Sequence, residues 1–224
     1  MLVELTSLIV ISPTTLKHAQ KFAEQTKNIG SEKENNVITR AILEFHYISC
    51  VRFISRTNEE DFIHISREGG CSSYGGRNGG AQILNLSPEC LYLGIIMHEL
   101  MQVLGFVHEH TRHDRDEYVT IIWDNIKDLL LQLMGESPYI ARRKRAKPGH
   151  KDNFLKLDWY DMSVLNERYD YESILHYHRF TFSKNPGKSP TLEPKKRRAR
   201  IGQRKYLSAG DIRKIKKLYK CAKL

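Results

Sequence analysis

His98-Glu99-Leu100-Met101-Gln102-Val103-Leu104-Gly105-Phe106-Val107-His108-Glu109 is the segment from which we interpret the rest of the chain. The residues before Gly105 contain no proline and are largely apolar, which predicts a buried helix over residues 93–104. Because residues four apart share one face of a helix, His98 and Gln102 would lie side by side. Gly105 predicts a left-handed turn that ends the helix and returns His108 toward the same point.

Histidines in this arrangement are typical ligands of catalytic zinc, which takes three protein ligands and keeps one position open. Glu99, one residue after His98, would be the general base for a bound water. The position of the third ligand holds Gln102, and a carboxamide oxygen is a weaker zinc donor than imidazole, thiolate or carboxylate. The sequence therefore predicts one Zn²⁺ per chain, bound by His98 and His108, with Gln102 as a weak or lost ligand.

The segment has the form H-E-x-x-Q-x-x-G-x-x-H, and it resembles the metzincin protease motif H-E-x-x-H-x-x-G-x-x-H in every specified position except Gln102. It continues to Val119 as H-E-x-x-R-x-D-R-D-x-Y-V, which narrows the resemblance to the astacin family of zinc metalloendopeptidases. Residues 69–84 are similar to the family's G-C-x-S-x-x-G-R-x-G-G-x-Q-x-L. Residues 169–177 resemble its Met-turn segment, with Leu175 in the methionine position.

The resemblance implies an α+β fold, the two-lobed astacin-like catalytic domain of the metzincins. Its N-terminal lobe would contain a small mixed sheet, a backing helix and the active-site helix. The C-terminal lobe would be less regular and end in a terminal helix, with the cleft between the lobes. We expect this domain over residues 37–222, after a divergent N-terminal segment over residues 1–36. The strand over residues 82–86 would form the upper rim of the cleft and pair with an extended polypeptide substrate.

The resemblance also implies roles for single residues. Glu99 would deprotonate the water and return the proton to the leaving amine, while Tyr177 and zinc stabilise the oxyanion. Gly105 and Glu109 would be structural, and so would Leu175, whose exchange for methionine conserves volume and usually costs under about 1.5 kcal/mol.

Four cysteines without C-x-x-C spacing argue against a cysteine zinc site and allow three disulfide pairings. The astacin resemblance selects Cys71 with Cys90 and Cys50 with Cys221. Each bridge would stabilise the fold by about 2–4 kcal/mol in an oxidising compartment. Secretion is therefore expected, although residues 1–12 show no signal-peptide pattern.

The net charge of +10 and a pI near 9.4 raise the question of anionic partners. Much of this charge lies in residues 142–145 and 195–200, for which solvated loop charge is the simplest interpretation. Acidic protein or polysaccharide partners are the alternative. The runs lack interleaved aromatic residues, so we expect no nucleic-acid partner. No apolar run is long enough to span a membrane, and we expect a monomer.

Periodicity and turn residues predict the remaining elements. We expect an edge strand over residues 3–11, a polar helix over 15–27, a linker over 30–36, a helix over 37–49, strands over 51–54 and 61–65, a helix over 118–133, and a terminal helix over 211–220. Ser208 and Asp211 predict a capping box for the last helix, with Ile212, Ile215 and Tyr219 facing the core.

The main functional hypothesis is a secreted zinc endopeptidase with Glu99 as general base, impaired by Gln102. The alternative is a catalytically inactive pseudo-protease that keeps the peptide-binding strand and acts as a protein-binding module. Measurement of bound zinc distinguishes the two hypotheses, because only the endopeptidase requires one zinc ion per chain.

Overall fold

The computed structural model describes residues 31–127, 150–157 and 164–221, together with the backbone of residues 7–11. The chain forms two compact units. The first contains the described residues of Met1–Val107, Met162–Glu167 and Arg204–Leu224, and the second those of His108–Asp161 and Arg168–Gln203. The C-terminal residues therefore belong to the first unit, and not to the second lobe as the sequence analysis expected.

The first unit is built on a five-stranded mixed sheet of order β2-β1-β3-β5-β4. Its strands are β1 (Ser7–Ile11), β2 (Arg52–Ser55), β3 (Phe62–Ser66), β4 (Cys71–Ser73) and β5 (Ala81–Leu86). The predicted strand over residues 3–11 exists as β1, but it is not an edge strand, because it pairs antiparallel with both β2 and β3.

The strand predicted to form the substrate-pairing rim of the cleft is not at the edge of the sheet. We expected residues 82–86 at the rim, but β5 lies inside the sheet, parallel to β3 and antiparallel to β4. The edge strand on this side of the sheet is β4, which pairs with β5 over Leu84 to Leu86.

Helix α1 (Glu32–Ile48) begins earlier than the predicted residue 37, and residues 32–36 are helical instead of a linker. The cause is a capping box, in which the Ser31 side chain accepts the Glu34 N–H and the Glu34 carboxylate accepts the Ser31 N–H at 2.7 Å. Such caps stabilise a helix by about 1 kcal/mol. One face of α1 is buried, formed by Ile38, Ala41, Ile42 and Phe45.

Helix α2 (Leu93–Val103) confirms the predicted helix to within one residue. Gly94 is required for its packing, because a Cβ there would lie 1.8 Å from the main-chain oxygen of Arg204. Gly105 has φ +95°, the left-handed conformation that the sequence predicts after the helix. Most of the helix is buried, which is why its sequence is apolar on nearly every face.

Helix α3 (Ala209–Leu218) has the predicted capping box of Ser208 and Asp211. Ile215 is fully buried as predicted, but Tyr219 is 36% exposed and Ile212 only partly buried. Tyr219 is the C-cap of the helix, so it does not continue the apolar face. Its hydroxyl instead donates to the main-chain oxygen of Leu104 at 3.1 Å.

The second unit has less regular structure, with β6 (Val119–Ile121) antiparallel to β7 (Leu192–Pro194). The helix predicted from residue 118 is wrong over the described residues to 127, because the β-branched run Val119–Ile121 pairs as a strand. Residues 128–133 and the predicted helix over 15–27 lie outside the described residues. The core of the unit consists of Val119, Ile126, Phe154, Tyr169, Tyr177, Leu192 and Ile201.

Both disulfides, Cys50–Cys221 and Cys71–Cys90, are formed, which confirms the pairing that the resemblance implies. Each joins residues of the first unit. Among the residues that the structure describes, no helix combines the length and the apolar character needed to cross a membrane.

Candidate active site

Glu99 lies on α2, where the helix is surrounded by the core, and is only 4% exposed. Its Oε2 atom accepts hydrogen bonds from the Ser73 hydroxyl at 3.1 Å and from the Gln102 side-chain nitrogen at 3.2 Å. Burial raises the pKa of Glu99 to about 7, against the opposing effects of the Ser73 hydrogen bond and the Arg204 charge. A carboxyl group whose pKa is near neutrality is well matched to accept and return protons.

Ser73 is the residue at this site that the sequence analysis did not identify. It lies at the end of β4, and its hydroxyl is also 3.0 Å from the main-chain oxygen of Glu99. The signal was present, since Ser73 is the serine of the G-C-x-S segment. What the spacing could not reveal is that β4 runs next to α2.

Gln102 lies four residues after His98 on α2, so both residues are on the same helical face. The Gln102 side-chain nitrogen is held by Glu99, which leaves the amide oxygen as the atom able to bind a metal. The Gln102 main-chain oxygen accepts the N–H groups of Gly76 and Gly105, at 2.9 and 2.8 Å. These bonds fix the end of α2 against the glycine-rich loop.

In the second unit, His108 and Tyr177 are neighbours, with ring centroids 4.6 Å apart. Tyr177 also stacks on His110 at 3.9 Å. His110 is fully buried, and its Nε2–H donates to the main-chain oxygen of Asn153 at 2.9 Å. The rings of His110 and Phe154 therefore surround Tyr177 and restrict its position.

Glu109 connects the turn after His108 to the segment that carries Leu175. It is 1% exposed, and its Oε1 accepts from Arg112 at 3.1 Å and from the Asp170 N–H at 2.9 Å. The Glu109 N–H donates to the main-chain oxygen of Leu175 at 3.3 Å. All of these contacts lie within the second unit.

His176 fixes the same segment from the opposite side. It is fully buried, and its Nδ1–H donates to the Tyr177 carbonyl at 2.8 Å, since a carbonyl oxygen can only accept. Its Nε2 therefore accepts from the Tyr169 hydroxyl at 2.7 Å. Burial, with the nearby Glu109 carboxylate, raises the pKa of Tyr169, so this hydroxyl remains protonated. Leu175, between these contacts, is 2% exposed.

The expected zinc ligands are distributed over both units: His98 and Gln102 belong to the first, and His108 to the second. Across the described ranges, no three His, Cys, Asp or Glu side chains form a group able to hold a metal ion. The imidazoles of His98 and His108 are suitable zinc ligands. The neutral amide oxygen of Gln102 would be the weakest of the three donors.

Comparison with known proteins places the chain among metallopeptidases. Residues 21–137 and 137–220 match the model of the peptidase family described as Astacin. Over 84% of the present chain, the sequence is 42% identical to zinc metalloproteinase nas-14 of Caenorhabditis elegans. Over 86% of the present chain, it is 42% identical to human Tolloid-like protein 2. It spans only 34% and 17% of the lengths of these two relatives.

A solved structure with a closely similar fold is that of high choriolytic enzyme 1, a hatching enzyme zinc-protease from the medaka Oryzias latipes. The TM-score is 0.72 at 40% identity, with 86% of each chain covered. Myroilysin matches with a TM-score of 0.53 at 16% identity, over 85% of this chain and 88% of its own, and shares the fold.

Proposed function

Because the chain belongs to the astacin family of peptidases, we propose that it is a zinc-dependent endopeptidase that cleaves extended polypeptides. The observation that most supports this function is the buried Glu99 carboxylate, held by Ser73 and Gln102 with a pKa of about 7. When bound, zinc polarises the scissile carbonyl and lowers the pKa of water. His98, His108 and the amide oxygen of Gln102 would hold it.

The chain's own groups would carry the proton transfers. Glu99 accepts a proton from the attacking water at Oε2 and then delivers it to the amine of the departing product. The Ser73 hydroxyl keeps the Glu99 carboxylate in one rotamer while its charge changes. The Tyr177 hydroxyl donates a hydrogen bond to the oxyanion that develops on the substrate. Glu109 acts indirectly, by holding the segment that carries Tyr177 through its bonds to Asp170 and Leu175.

Gln102 makes this enzyme weaker than one with histidine at the same position. The loss of even an outer partner of a metal ligand costs about 10–100-fold in affinity or activity, so the exchange of a ligand costs at least as much. We therefore propose an impaired endopeptidase that requires more zinc than a three-histidine site would need.

The test is cleavage of an unfolded protein substrate by the oxidised chain in excess zinc, with Glu99→Gln as the matched control. We expect cleavage by the natural chain, its loss on chelation, and at least a 100-fold lower rate for Glu99→Gln, because general-base catalysis contributes about 10²–10⁴. No cleavage at any zinc concentration would contradict the proposal. Equal rates for the two proteins would contradict the role of Glu99.

A pseudo-protease that binds protein without turnover is the second candidate, and one contact favours it. The Gln102 N–H donates to Oε2 of Glu99, so the amide that replaces a ligand also occupies the proposed base. Such a protein would retain the sheet edge at β4 for an extended peptide, since an edge strand presents unpaired main-chain groups. It would bind a peptide with unchanged affinity in the presence of a chelator.

A further inference from the structure

Residues 195–200, which we call the basic loop, carry five exposed cationic side chains: Lys195, Lys196, Arg197, Arg198 and Arg200. Lys195 donates to the main-chain oxygen of Asp116 at 2.5 Å. Over the part of the chain that is described, none of the other four forms an ion pair, whereas Arg112 and Arg115 of the same unit do. We propose that the basic loop, with the cavity beside it, binds a sulfated polysaccharide.

Both ends of the basic loop are fixed. At its start, the Lys195 N–H donates to the Tyr118 oxygen at 2.7 Å, directly after the pairing of β7 with β6. At its end, Ile201 is 8% exposed, and Gly202 passes so close to His178 that a Cβ would lie 2.3 Å from the His178 Cα. A loop anchored on both sides presents its charges at fixed spacing, which lowers the entropy lost when a ligand binds.

Arg198 occupies a backbone position that suits glycine. Its φ is +64°, and it is the third residue of a turn in which the Ala199 N–H donates to the Lys196 oxygen at 3.1 Å. L-residues are strained in this conformation, and glycine is the usual residue there. The exposed Arg198 side chain contributes no core packing. An arginine kept at this strained position, where it adds only charge to the surface, supports the proposed role of the basic loop in binding.

The basic loop forms one wall of a cavity of about 600 Å³, and residues 169–172 form the other. Four cations and the two carboxylates of Asp170 and Glu172 line it, a formal balance of +2. Tyr171 contributes a half-buried ring, held by the hydrogen bond from its hydroxyl to the Tyr118 oxygen at 2.8 Å. The volume lies within the range of small-molecule sites, about 300–1,000 Å³, so it has room for sugar units.

The chemistry of the basic loop favours a sulfated sugar chain over other polyanions. Guanidinium groups bind tetrahedral oxyanions through paired hydrogen bonds. β7 ends at Pro194, so the loop offers no strand edge on which a peptide main chain could pair. The loop itself carries no aromatic residue, and the half-buried Tyr171 ring beside it gives too little surface for successive nucleic-acid bases to stack. The two disulfides indicate an oxidising compartment, where sulfated polysaccharides are encountered.

The test measures the Kd of the full oxidised chain for a short heparin oligosaccharide as a function of salt. One variant combines Arg197→Gln, Arg198→Gly and Arg200→Gln. The matched control combines Arg142→Gln, Arg143→Gln and Lys144→Gln in the other basic run, so both carry a net charge of +7, since +10 − 3 = +7. We expect at least about a tenfold weaker Kd and a flatter salt dependence for the first variant, and less than about a threefold change for the control. Equal losses would show attraction by overall charge and overturn the proposal.

Two further ligands identify the class of partner. Chemically desulfated heparin should bind at least about tenfold more weakly than heparin, because the paired guanidinium contacts to sulfate are lost. Poly-glutamate should also bind more weakly. Equal affinity for poly-glutamate would assign the loop to acidic proteins and overturn the proposal. We expect heparin binding to be unchanged by Glu99→Gln and by chelation, whereas peptidase activity should be lost in both cases. The two proposals can therefore fail independently.

The single variant Arg198→Gly separates binding from folding. The glycine relieves the left-handed strain, so we expect an unchanged or higher Tm together with weaker heparin binding. A lower Tm with unchanged affinity would assign Arg198 to the fold and contradict its role in binding.

Discussion

Removing the Glu109 carboxylate should destabilise the chain strongly, because this carboxylate is buried and accepts hydrogen bonds from Arg112 and from the Asp170 N–H. In Glu109→Ala the Asp170 N–H loses that acceptor, which costs about 1–3 kcal/mol. Arg112, whose side chain is 2% exposed, keeps Asp114 at 2.6 Å but loses a charged hydrogen bond of about 1.5–3 kcal/mol. Together these costs are about 2.5–6 kcal/mol, a range that includes the roughly 3–5 kcal/mol expected when a buried ion pair loses one partner.

Urea and thermal unfolding of the oxidised protein measure this loss. For a chain of this length, about 4 kcal/mol corresponds to a fall in Tm of roughly 10 °C. The matched control is Glu193→Ala, which breaks the contact to Arg179 in the same unit. Both side chains of this pair are 47% exposed, so we expect a cost of less than about 1 kcal/mol. Equal costs for the two variants would refute the view that Glu109 holds this segment together.

Three further predictions concern the first unit. Burial lowers the pKa of His46 to about 4, below the unfolded value near 6.5, so this group's contribution to stability is lost as pH falls from 6.5 through 4. After allowance for the partial exposure of His46, we expect the free energy of unfolding in urea to fall by about 1–2 kcal/mol over this pH range. The fall should be smaller in His46→Gln, which lacks the titrating group. Gly94→Ala should cost about 3 kcal/mol in the same assay, because its Cβ would overlap the Arg204 main chain; an unchanged midpoint would contradict this packing. Replacing both cysteines of the Cys71–Cys90 bridge by serine should cost about 3 kcal/mol, and no change in Tm would argue against its formation.

The elements that the sequence predicted well are those with strong local signals. The apolar run before Gly105 specifies α2 because burial on nearly every face requires apolar residues at nearly every position. The Ser208 and Asp211 capping box likewise places the start of α3. Both disulfide pairings came from the family resemblance, since spacing alone left three arrangements.

The elements that the sequence predicted wrongly depend on pairing with segments distant in sequence, or on a capping box within a segment of polar composition. Residues 30–36 look like a linker by composition, but the Ser31 and Glu34 capping box outweighs that composition. The helix was expected from the apolar character of the longer segment after Tyr118, but the β-branched run Val119–Ile121 favours a strand and pairs with Leu192–Pro194. The interior position of β1 and the assignment of α3 to the first unit are properties of topology, for which the segments themselves carry no local signal.

We propose that the chain retains an astacin-type site with one weakened zinc ligand. Titration of the purified, oxidised protein with zinc against a competing chelator, for the natural chain and for Gln102→His, tests it most directly. We predict one zinc per chain in both proteins, with an affinity at least about 10–100-fold higher for Gln102→His, and peptide cleavage that rises with occupancy in each. Equal zinc affinities, or a fully loaded Gln102→His protein without cleavage, would contradict the account.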